Sequence, residues 1–358
     1  MRQRGSASNP PNRFERLQLD ETFGDGGSWG DPDDPEPRSH PETRLLRDPS
    51  RTIIATNASP DVGFDASVNP YRGCEHGCAY CYARPTHEYL GMSAGLDFET
   101  RILVKERAPE LLRRALAAPA WKPQVLAFSG VTDAYQPAER KLEITRGCLR
   151  VLAEFRNPVA VVTKSWLVTR DADLLAELAR HDAAAVVISL TTLDPALQRV
   201  MEPLASRPAK RLAAIEALAE AGVPVGVNVA PLIPGLTDHE VPAILKAAAG
   251  AGARFAGRVL LRLPHGVAPL FEAWLERHVP ARREKVLSRL RAMRGGKLYD
   301  ARFRVRQRGE GFFADELESL FALSCRRAGL ARQGPTLSTA AFRRPGRSSQ
   351  LALFDLEA

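Results

Sequence analysis

The sequence predicts an α/β protein with an open, partial (β/α)6 barrel of the TIM type at its core. Two observations support this fold class. Between about residues 51 and 265, six short apolar segments alternate with amphipathic helical segments, a pattern typical of parallel strands covered by helices. Six units are too few for a closed eight-stranded barrel, so an incomplete barrel accommodates them.

Apart from the first, at 67–71, each predicted strand is a short run rich in Val, Ala, Ile or Leu, and each predicted helix has apolar residues at helical spacing. The strands are residues 67–71, 125–128, 159–163, 185–190, 223–229 and 258–261. The helices between them are residues 108–118, 140–155, 172–180, 210–221 and 241–250. Because parallel βα units place chemistry at the carboxyl ends of the strands, polar residues after these strands are the first candidates for a site.

Three further segments flank the predicted core at 51–265. Residues 1–50 contain many Gly, Asp and Pro residues and little apolar content, so we expect a disordered or loosely ordered segment. Residues 266–332 predict a helical extension, with helices at 270–278, 281–293 and 314–328. Residues 333–358, rich in Ser, Arg, Gly and Pro, predict a flexible tail.

The charge distribution leaves two interpretations open. The net charge is +8, and residues 251–358 contain 21 Lys and Arg against 10 Asp and Glu. Arg302, Arg304, Arg306 and Arg308 alternate, so they would lie on one face if this segment is a strand. Such a ribbon could bind the phosphates of DNA or RNA; equally, it could be a solvated edge strand that charge protects against aggregation.

The sequence also favours a cytoplasmic protein without a membrane span. No apolar stretch reaches the length that crosses a bilayer, and residues 1–6 lack the apolar region of a secretory signal. Three of the five cysteines are clustered, and Cys148 and Cys325 stand alone in helical patterns. No disulfide framework is therefore predicted.

The clustered cysteines, Cys74, Cys78 and Cys81, have the spacing Cys-x3-Cys-x2-Cys. Thiolates are the soft ligands of iron–sulfur clusters, which normally take four, so three cysteines predict a cluster with one open iron. The alternative is a Cys3His zinc site with His76 or His87 as fourth ligand, in a nucleic-acid-binding protein without redox chemistry. The position of His76 between two cysteines and the absence of a second Cys-x2-Cys pair favour iron–sulfur.

With these cysteines, the sequence resembles the radical SAM superfamily, in which an aromatic residue precedes the last cysteine. Tyr80 occupies that place, and the resemblance implies that it packs beside the adenine of S-adenosylmethionine (SAM). The implied cofactors are one [4Fe–4S] cluster and SAM, which is cleaved reductively to a 5′-deoxyadenosyl radical. The implied partner is an external one-electron reductant of the flavodoxin or ferredoxin type, because the chain shows no second cluster motif.

A narrower resemblance, over about residues 59–237, is to the spore photoproduct lyase-like branch of that superfamily. Its motifs match here at residues 69–74, 80–84, 132–137 with Glu139, 162–165 and 170–171. The branch includes an enzyme that repairs a DNA lesion, so the resemblance leaves the substrate open. It assigns no hydrogen-donor residue, because Cys148 and Cys325 stand in contexts that do not match and Cys148 is expected in the core.

The remaining candidate residues follow the later strands. After the second strand, where many superfamily members carry Gly-Gly-Glu, this chain has Phe128-Ser-Gly-Val-Thr-Asp133. Ser129, Gly130, Thr132 and Asp133 are therefore predicted SAM contacts, although Thr132 and Asp133 could equally be turn residues.

Three further predicted SAM contacts follow strands three to five. By resemblance, Lys164 binds the SAM carboxylate, Ser189 contacts SAM, and Asn228 lies near its adenine and ribose. The alternative for Lys164 is an ion pair near Asp171. The alternative for Ser189 is an ordinary hydroxyl residue at a strand end.

Overall fold

The fold is built on a main sheet of seven strands. The structure is a computed structural model that describes residues 4–14, 42–128 and 130–345. The strands in these ranges are β1 (Arg44–Arg47), β2 (Ile54–Thr56), β3 (Ala66–Val68), β4 (Tyr71–Arg72), β5 (Arg101–Val104), β6 (Leu126–Phe128), β7 (Val159–Thr163), β8 (Ala184–Ser189), β9 (Val225–Leu232) and β10 (Phe255–Leu260). The order in the main sheet is β10-β9-β8-β7-β6-β3-β2. Only the β2–β3 pair in it is antiparallel. The six parallel strands confirm the predicted α/β core.

Helices cover this sheet and extend beyond it. They are α1 (Leu96–Thr100), α2 (Ala108–Ala117), α3 (Glu139–Leu142), α4 (Ile144–Phe155), α5 (Ala172–Ala179), α6 (Pro195–Met201), α7 (Pro208–Glu220), α8 (Val241–Gly250), α9 (Val267–His278), α10 (Pro280–Ala292) and α11 (Phe312–Ala328). The predicted helical extension corresponds to α9, α10 and α11, and α11 packs against α8. In the described part of the chain, no helix is long and apolar enough to cross a membrane.

The core lies on both faces of the parallel strands, which explains why their sequences are apolar almost throughout. Val159, Val186 and Val227 on neighbouring strands are fully buried. Cys148 on α4 is also fully buried in this core, as its helical pattern predicts. A separate small sheet, in the order β1-β5-β4, leads into the cysteine loop through β4.

The local structure differs from the sequence pattern in two places. The helix expected at 140–155 is divided at Glu143, which adopts the left-handed conformation with φ +50°. The alternating arginines do not form a strand: residues 302–308 form turns, and Arg304 has φ +67°. Arg302 instead forms an ion pair with nearby Asp300, and Arg306 forms one with Asp61. The partner of Arg306 is 245 positions away, so the local pattern cannot reveal it.

The terminal segments are more ordered than their composition predicts. Residues 4–14 make hydrogen bonds with the cysteine region, described below. In the predicted flexible tail, Ser338 N donates to Asp182 O at 2.8 Å and Arg343 N donates to Phe155 O at 2.9 Å. These backbone bonds fix residues whose polar composition alone suggests disorder. Residues 1–3, 15–41 and 346–358 lie outside the described ranges, and the domain boundaries stay a prediction.

Candidate functional site

The three cysteines lie on a loop that follows β4 and precedes α1. Cys74 and Cys78 are buried, and Cys81 is partly exposed. Gly73 and Gly77 both have positive φ, at +82° and +64°. A side chain at Gly73 would place its Cβ 2.9 Å from the Phe98 carbonyl. The loop therefore needs glycine at these turns for both backbone conformation and space.

The segment after β6 holds the first turn of the cysteine loop. Gln136 bonds it twice: its Nε2 donates to Gly73 O at 3.3 Å, and its Oε1 accepts from Glu75 N at 2.9 Å. The Glu75 carboxylate accepts in return from Ala138 N at 2.5 Å. These reciprocal bonds fix the backbone on both sides of Cys74.

Arg84 holds the second turn from inside the protein. Its side chain is fully buried, and its Nε and Nη2 donate to Cys78 O at 3.1 and 2.8 Å. Nη2 also forms an ion pair of 2.5 Å with the fully buried Glu99. A buried charge pair of this kind is strongly destabilised when one partner is removed. Arg84 therefore ties the Cys78 backbone to α1.

Residues 4–14, which we call the N-terminal strap, lie over this loop. Glu99 Oε2 and Oε1 accept from Gly5 N at 3.0 Å and Ser6 N at 2.7 Å. The strap is in close backbone contact with the loop, since a Cβ on Gly5 would lie 1.6 Å from the Gly77 carbonyl oxygen. Asn9 and Asp97 exchange two further hydrogen bonds, of 3.1 and 2.9 Å. Residues 4–14 are therefore docked on the cysteine loop.

The cysteine thiols suit a positively charged metal cluster. Burial, and after it the charge of Glu202, raises the pKa of Cys78 to about 12, although Lys164 acts in the opposite direction. Burial, then the charges of Asp133 and of the neighbouring cysteines, also raises the pKa of Cys74. Metal coordination favours the thiolate that burial disfavours. Three sulfur donors on a glycine-supported loop thus fit an iron–sulfur cluster.

One ring nitrogen of each histidine in the zinc alternative faces a polar group of the protein. His76 Nδ1 lies 3.4 Å from Asp133 Oδ2, and His87 Nε2 bonds the Arg101 carbonyl at 2.9 Å. Within residues 4–14, 42–128 and 130–345, no three His, Cys, Asp or Glu side chains are grouped around a position for a single metal ion. The structure therefore does not preform a Cys3His centre in these ranges.

Asp133 is a positioning residue by its contacts. Its Oδ1 accepts from Thr163 Oγ1 at 2.7 Å and Tyr135 N at 2.9 Å, and its Oδ2 accepts from Lys164 N at 2.8 Å and faces His76. Burial alone would raise the pKa of Asp133, but His76 and these backbone donors lower it to about 2. The ionised carboxylate joins the end of β7 to the cysteine loop, so its geometry does not favour the predicted SAM contact.

The other predicted contacts after β6 differ in availability. Thr132 is buried, and its Oγ1 donates to Tyr71 O at 3.1 Å. Gly130 O accepts from the Tyr82 hydroxyl at 2.9 Å and keeps a second lone pair. Ser129 lies outside the described residues. The Gly130 carbonyl thus retains an acceptor for a ligand.

Tyr80 belongs to a buried polar network. Its hydroxyl donates to Glu202, which also forms an ion pair with Arg211. Arg211 Nη1 donates to Ser189 O at 3.1 Å, so the network fixes the end of β8. Burial would raise the pKa of Glu202, but Arg211 first and then Lys164 lower it to about 2. Sequence reasoning missed both residues: Glu202 directly follows α6, where no helix was predicted, and Arg211 lies in the predicted helix at 210–221.

Lys164 and Asn228 retain unused polar groups next to this network. The Lys164 ammonium lies 5.8 Å from the Tyr80 ring centroid, and no acidic partner bonds it within the described ranges. Its suggested pairing with Asp171 is wrong, because Asp171 binds Arg146 and Arg170 at 2.8 Å each. Asn228 Oδ1 is buried without a hydrogen-bond partner. Both groups remain available to a ligand.

Ser189, Asn228 and Gly257 lie side by side on β8, β9 and β10. Ser189 pairs with Asn228, and Asn228 pairs with Gly257, in the parallel register. A Cβ on Gly257 would lie 3.3 Å from Asn228 Oδ1, so the glycine keeps the space beside this oxygen open. The structure thus brings together two of the predicted SAM contacts.

The motif residues that carry the narrower resemblance mostly form a structural network. The Tyr71 hydroxyl donates to buried Glu139, which also accepts from Thr145 N at 3.0 Å and Arg170 Nη2 at 2.7 Å. Burial and the charge of Glu139 raise the pKa of Tyr71. Together these contacts join the start of α4 to the segment after β7. These residues support the site without facing it.

Comparison with known proteins agrees with this geometry. The model of the radical SAM superfamily matches residues 68–248, just over half of the 358 residues. An uncharacterised protein of Mycobacterium tuberculosis is 39% identical over 219 residues, which cover 61% of this chain and 64% of that protein. An uncharacterised protein of Methanocaldococcus jannaschii is 30% identical over 173 residues, which cover 48% and 62%. The chain thus spans less than two thirds of the length of these relatives.

Among solved structures, spore photoproduct lyase complexed with dinucleoside spore photoproduct is similar, with a TM-score of 0.58 and 16% identity. The match covers 80% of this chain and 81% of the lyase. A mutant of the lyase with bound AdoMet and the same ligand gives a TM-score of 0.55 at 17% identity, with 82% of each chain covered. This likeness concerns the fold. By its family match, the chain belongs to the radical SAM superfamily, whose cofactors are a [4Fe–4S] cluster and SAM.

Proposed function

We propose that this protein is a radical SAM enzyme in which Cys74, Cys78 and Cys81 hold the [4Fe–4S] cluster. When bound and reduced, the cluster supplies the electron that cleaves SAM to methionine and a 5′-deoxyadenosyl radical. One observation carries the proposal: the cysteine loop, with the superfamily spacing, lies beside the unused Lys164 ammonium, and Asn228 on β9 of the same sheet has an unpartnered Oδ1. The substrate attacked by the radical is unassigned.

The protein's own residues would bind and orient these cofactors. Lys164 offers an ammonium for the SAM carboxylate, and Asn228 Oδ1 offers an acceptor for an N–H or O–H of the adenosine. Gly130 O and the Ser189 hydroxyl are further proposed contacts, and Tyr80 is proposed beside the adenine. Asp133 and Arg84 act through the backbone of the cysteine loop and of β7.

Anaerobic reconstitution tests the proposal directly. The chain should bind four iron and four sulfide ions, turn brown, and form 5′-deoxyadenosine from SAM with dithionite. Cys74→Ala, Cys78→Ala and Cys81→Ala should each abolish both properties, whereas Cys148→Ala, in the core, should keep them. A colourless protein that binds one zinc ion and forms no 5′-deoxyadenosine would instead support a zinc-stabilised nucleic-acid-binding protein.

We also propose a cytoplasmic location and an external one-electron donor of the flavodoxin or ferredoxin type. Reduced flavodoxin or ferredoxin should replace dithionite in the 5′-deoxyadenosine assay. Failure of both donors, in a preparation that responds to dithionite, would oppose this partner class.

DNA or RNA is the substrate class that we propose to test first. Spore photoproduct lyase, with a similar fold, was solved with a dinucleoside photoproduct, and the last third of this chain is basic. Exposed Arg304 and Arg308 line one cavity of about 290 Å³, whereas Arg306 is held by Asp61. The double variant Arg304→Glu, Arg308→Glu should weaken oligonucleotide binding. It should also reduce the slope of the logarithm of the binding constant against the logarithm of the salt concentration by about two. Unchanged binding would remove these residues from the proposed surface.

A further inference from the structure

Arg262 is a cation at the mouth of the site that the proposed cofactor contacts do not use. It follows β10, the last strand of the parallel sheet, at the end where parallel sheets carry their sites. Its Nε is buried and makes no hydrogen bond. In residues 4–14, 42–128 and 130–345, no acidic side chain forms an ion pair with it. Its guanidinium charge is therefore uncompensated by the described part of the chain.

Other arginines in this part of the protein do have acidic partners. Those pairs are Arg258–Glu318, Arg289–Asp238, Arg302–Asp300 and Arg306–Asp61. Buried Arg294 has carbonyl partners instead, with a bond of 2.6 Å from its Nη1 to Leu298 O. Burial mainly, with Arg262 contributing, lowers the pKa of Arg294 to about 10. Arg262 and Arg294 are thus neighbouring arginines that form no ion pair with an acidic side chain in the described ranges, and an anion would offset their charge.

Tyr82 places Arg262 next to the cysteine loop. The Arg262 guanidinium carbon lies 4.8 Å from the centroid of the Tyr82 ring, and Tyr82 directly follows Cys81. The Tyr82 hydroxyl donates to Gly130 O at 2.9 Å, so the ring is held at both ends. The Tyr82 residue is 45% exposed. Stacking on this partly exposed ring orients the guanidinium beside the cysteine loop.

We infer that Arg262 binds an anionic group, a phosphate or a carboxylate, of the molecule on which this enzyme acts. The planar guanidinium can donate two parallel hydrogen bonds to either anion. The inference rests on the proposed function for calling this anion a substrate group, while anion binding itself needs no cluster. It restricts the substrate to a molecule with a negative charge that can approach Cys81 and Tyr82.

Anion binding can be measured by calorimetry on the full-length chain, both as apoprotein and after reconstitution. The probes are pyrophosphate for a phosphate group and glutarate for a carboxylate. Arg262→Gln should weaken binding of the preferred probe about tenfold or more, because a charge-assisted hydrogen bond is lost. Arg262→Lys, which keeps the charge without the planar donor pair, should fall between the two. Arg140→Gln, on an exposed residue of α3, removes the same charge elsewhere and should bind like the wild type.

The outcomes distinguish the inference from the proposed function. Equal probe binding by the Arg262→Gln and Arg140→Gln variants, or no probe binding by the wild type, would overturn the inference. So would a parallel loss of SAM affinity in Arg262→Gln, since the cation would then belong to the SAM carboxylate. A chain that forms no 5′-deoxyadenosine but whose apoprotein binds the probe through Arg262 would contradict the proposed function and leave the anion site intact.

Discussion

The N-terminal strap should stabilise the cysteine loop, and Gly5→Val tests this contact. The Cβ of any residue at position 5 would meet the Gly77 carbonyl oxygen at 1.6 Å. Both sides of this contact are backbone, so neither can move by a simple rotamer change. Valine should therefore displace the strap from the loop and leave the cysteines and the barrel unchanged.

The size of the effect follows from the bonds that displacement breaks. Glu99 would lose its hydrogen bonds from Gly5 N and Ser6 N, of 3.0 and 2.7 Å, and keep its ion pair with Arg84. Each bond to a charged group is worth about 1.5 kcal/mol at the lower end, so docking should weaken by about 3 kcal/mol. At 1.36 kcal/mol per factor of ten, strap opening should increase about a hundredfold.

Amide hydrogen exchange followed by mass spectrometry measures this opening. In Gly5→Val, exchange should accelerate about a hundredfold in residues 4–14 and also rise in residues 73–84. Gly63→Val is the matched control, because a Cβ at Gly63 meets no atom within 4 Å. After reconstitution, cluster absorbance should decay faster in air for Gly5→Val than for the control. If residues 4–14 of Gly5→Val exchanged their amide hydrogens as slowly as in the wild type, the reasoning would be refuted.

Three other predictions follow from the site. Lys164→Ala should weaken SAM binding about tenfold, measured by equilibrium dialysis. The control is Lys210→Ala, which removes an ammonium that lies 5.1 Å from the Trp166 ring centroid and should leave SAM affinity unchanged. Equal SAM affinities of the two variants would oppose the Lys164 contact. Glu202→Gln should lower the free energy of unfolding at pH 7 by about 3 kcal/mol, measured in urea. Because the folded-state pKa of Glu202 is lowered to about 2, its contribution is present above the unfolded pKa and is lost as the pH falls towards 2. The difference from wild type should therefore shrink between about pH 4.5 and pH 2, and a constant difference would contradict this. Gly77→Ala and Gly222→Ala both place alanine at positive φ, but only the former brings its Cβ to 2.7 Å from a buried carboxylate. Gly77→Ala should therefore lower the free energy of unfolding by about 2 kcal/mol more than Gly222→Ala, measured by thermal unfolding. Equal losses of stability in the two variants would show that the loop shifts to relieve the contact.

The six barrel strands were accessible to sequence reasoning because each is apolar on both faces and bounded by turn residues. The predicted run at 159–163 agrees in both bounds with β7 (Val159–Thr163), and the others agree within a few residues. The three cysteines were equally accessible, because local spacing defines their motif. By contrast, α6 (Pro195–Met201) was missed, since a short helix carries too little periodicity.

The hydrogen-bond and ion-pair partners of the site residues could not be predicted from local sequence patterns. Asp133 carries the residue type of a ligand contact, yet four groups from the protein surround its carboxylate. The arginines at 302–308 alternate like a strand, yet Asp61, more than 200 positions away, fixes Arg306. In both cases a long-range partner decides the role, and sequence distance gives no information about it.

The sequence by itself determined the parallel α/β core, the superfamily and the three cysteines that would hold the cluster, because periodicity and motif spacing are local properties of the chain. Only the tertiary structure decided which polar groups remain free for ligands. It showed that Asp133 is used by the protein, that Lys164, Asn228 and Arg262 keep unused groups, and that the strap covers the cysteine loop. The reason is physical: whether a buried polar group is satisfied depends on every atom that folding brings near it.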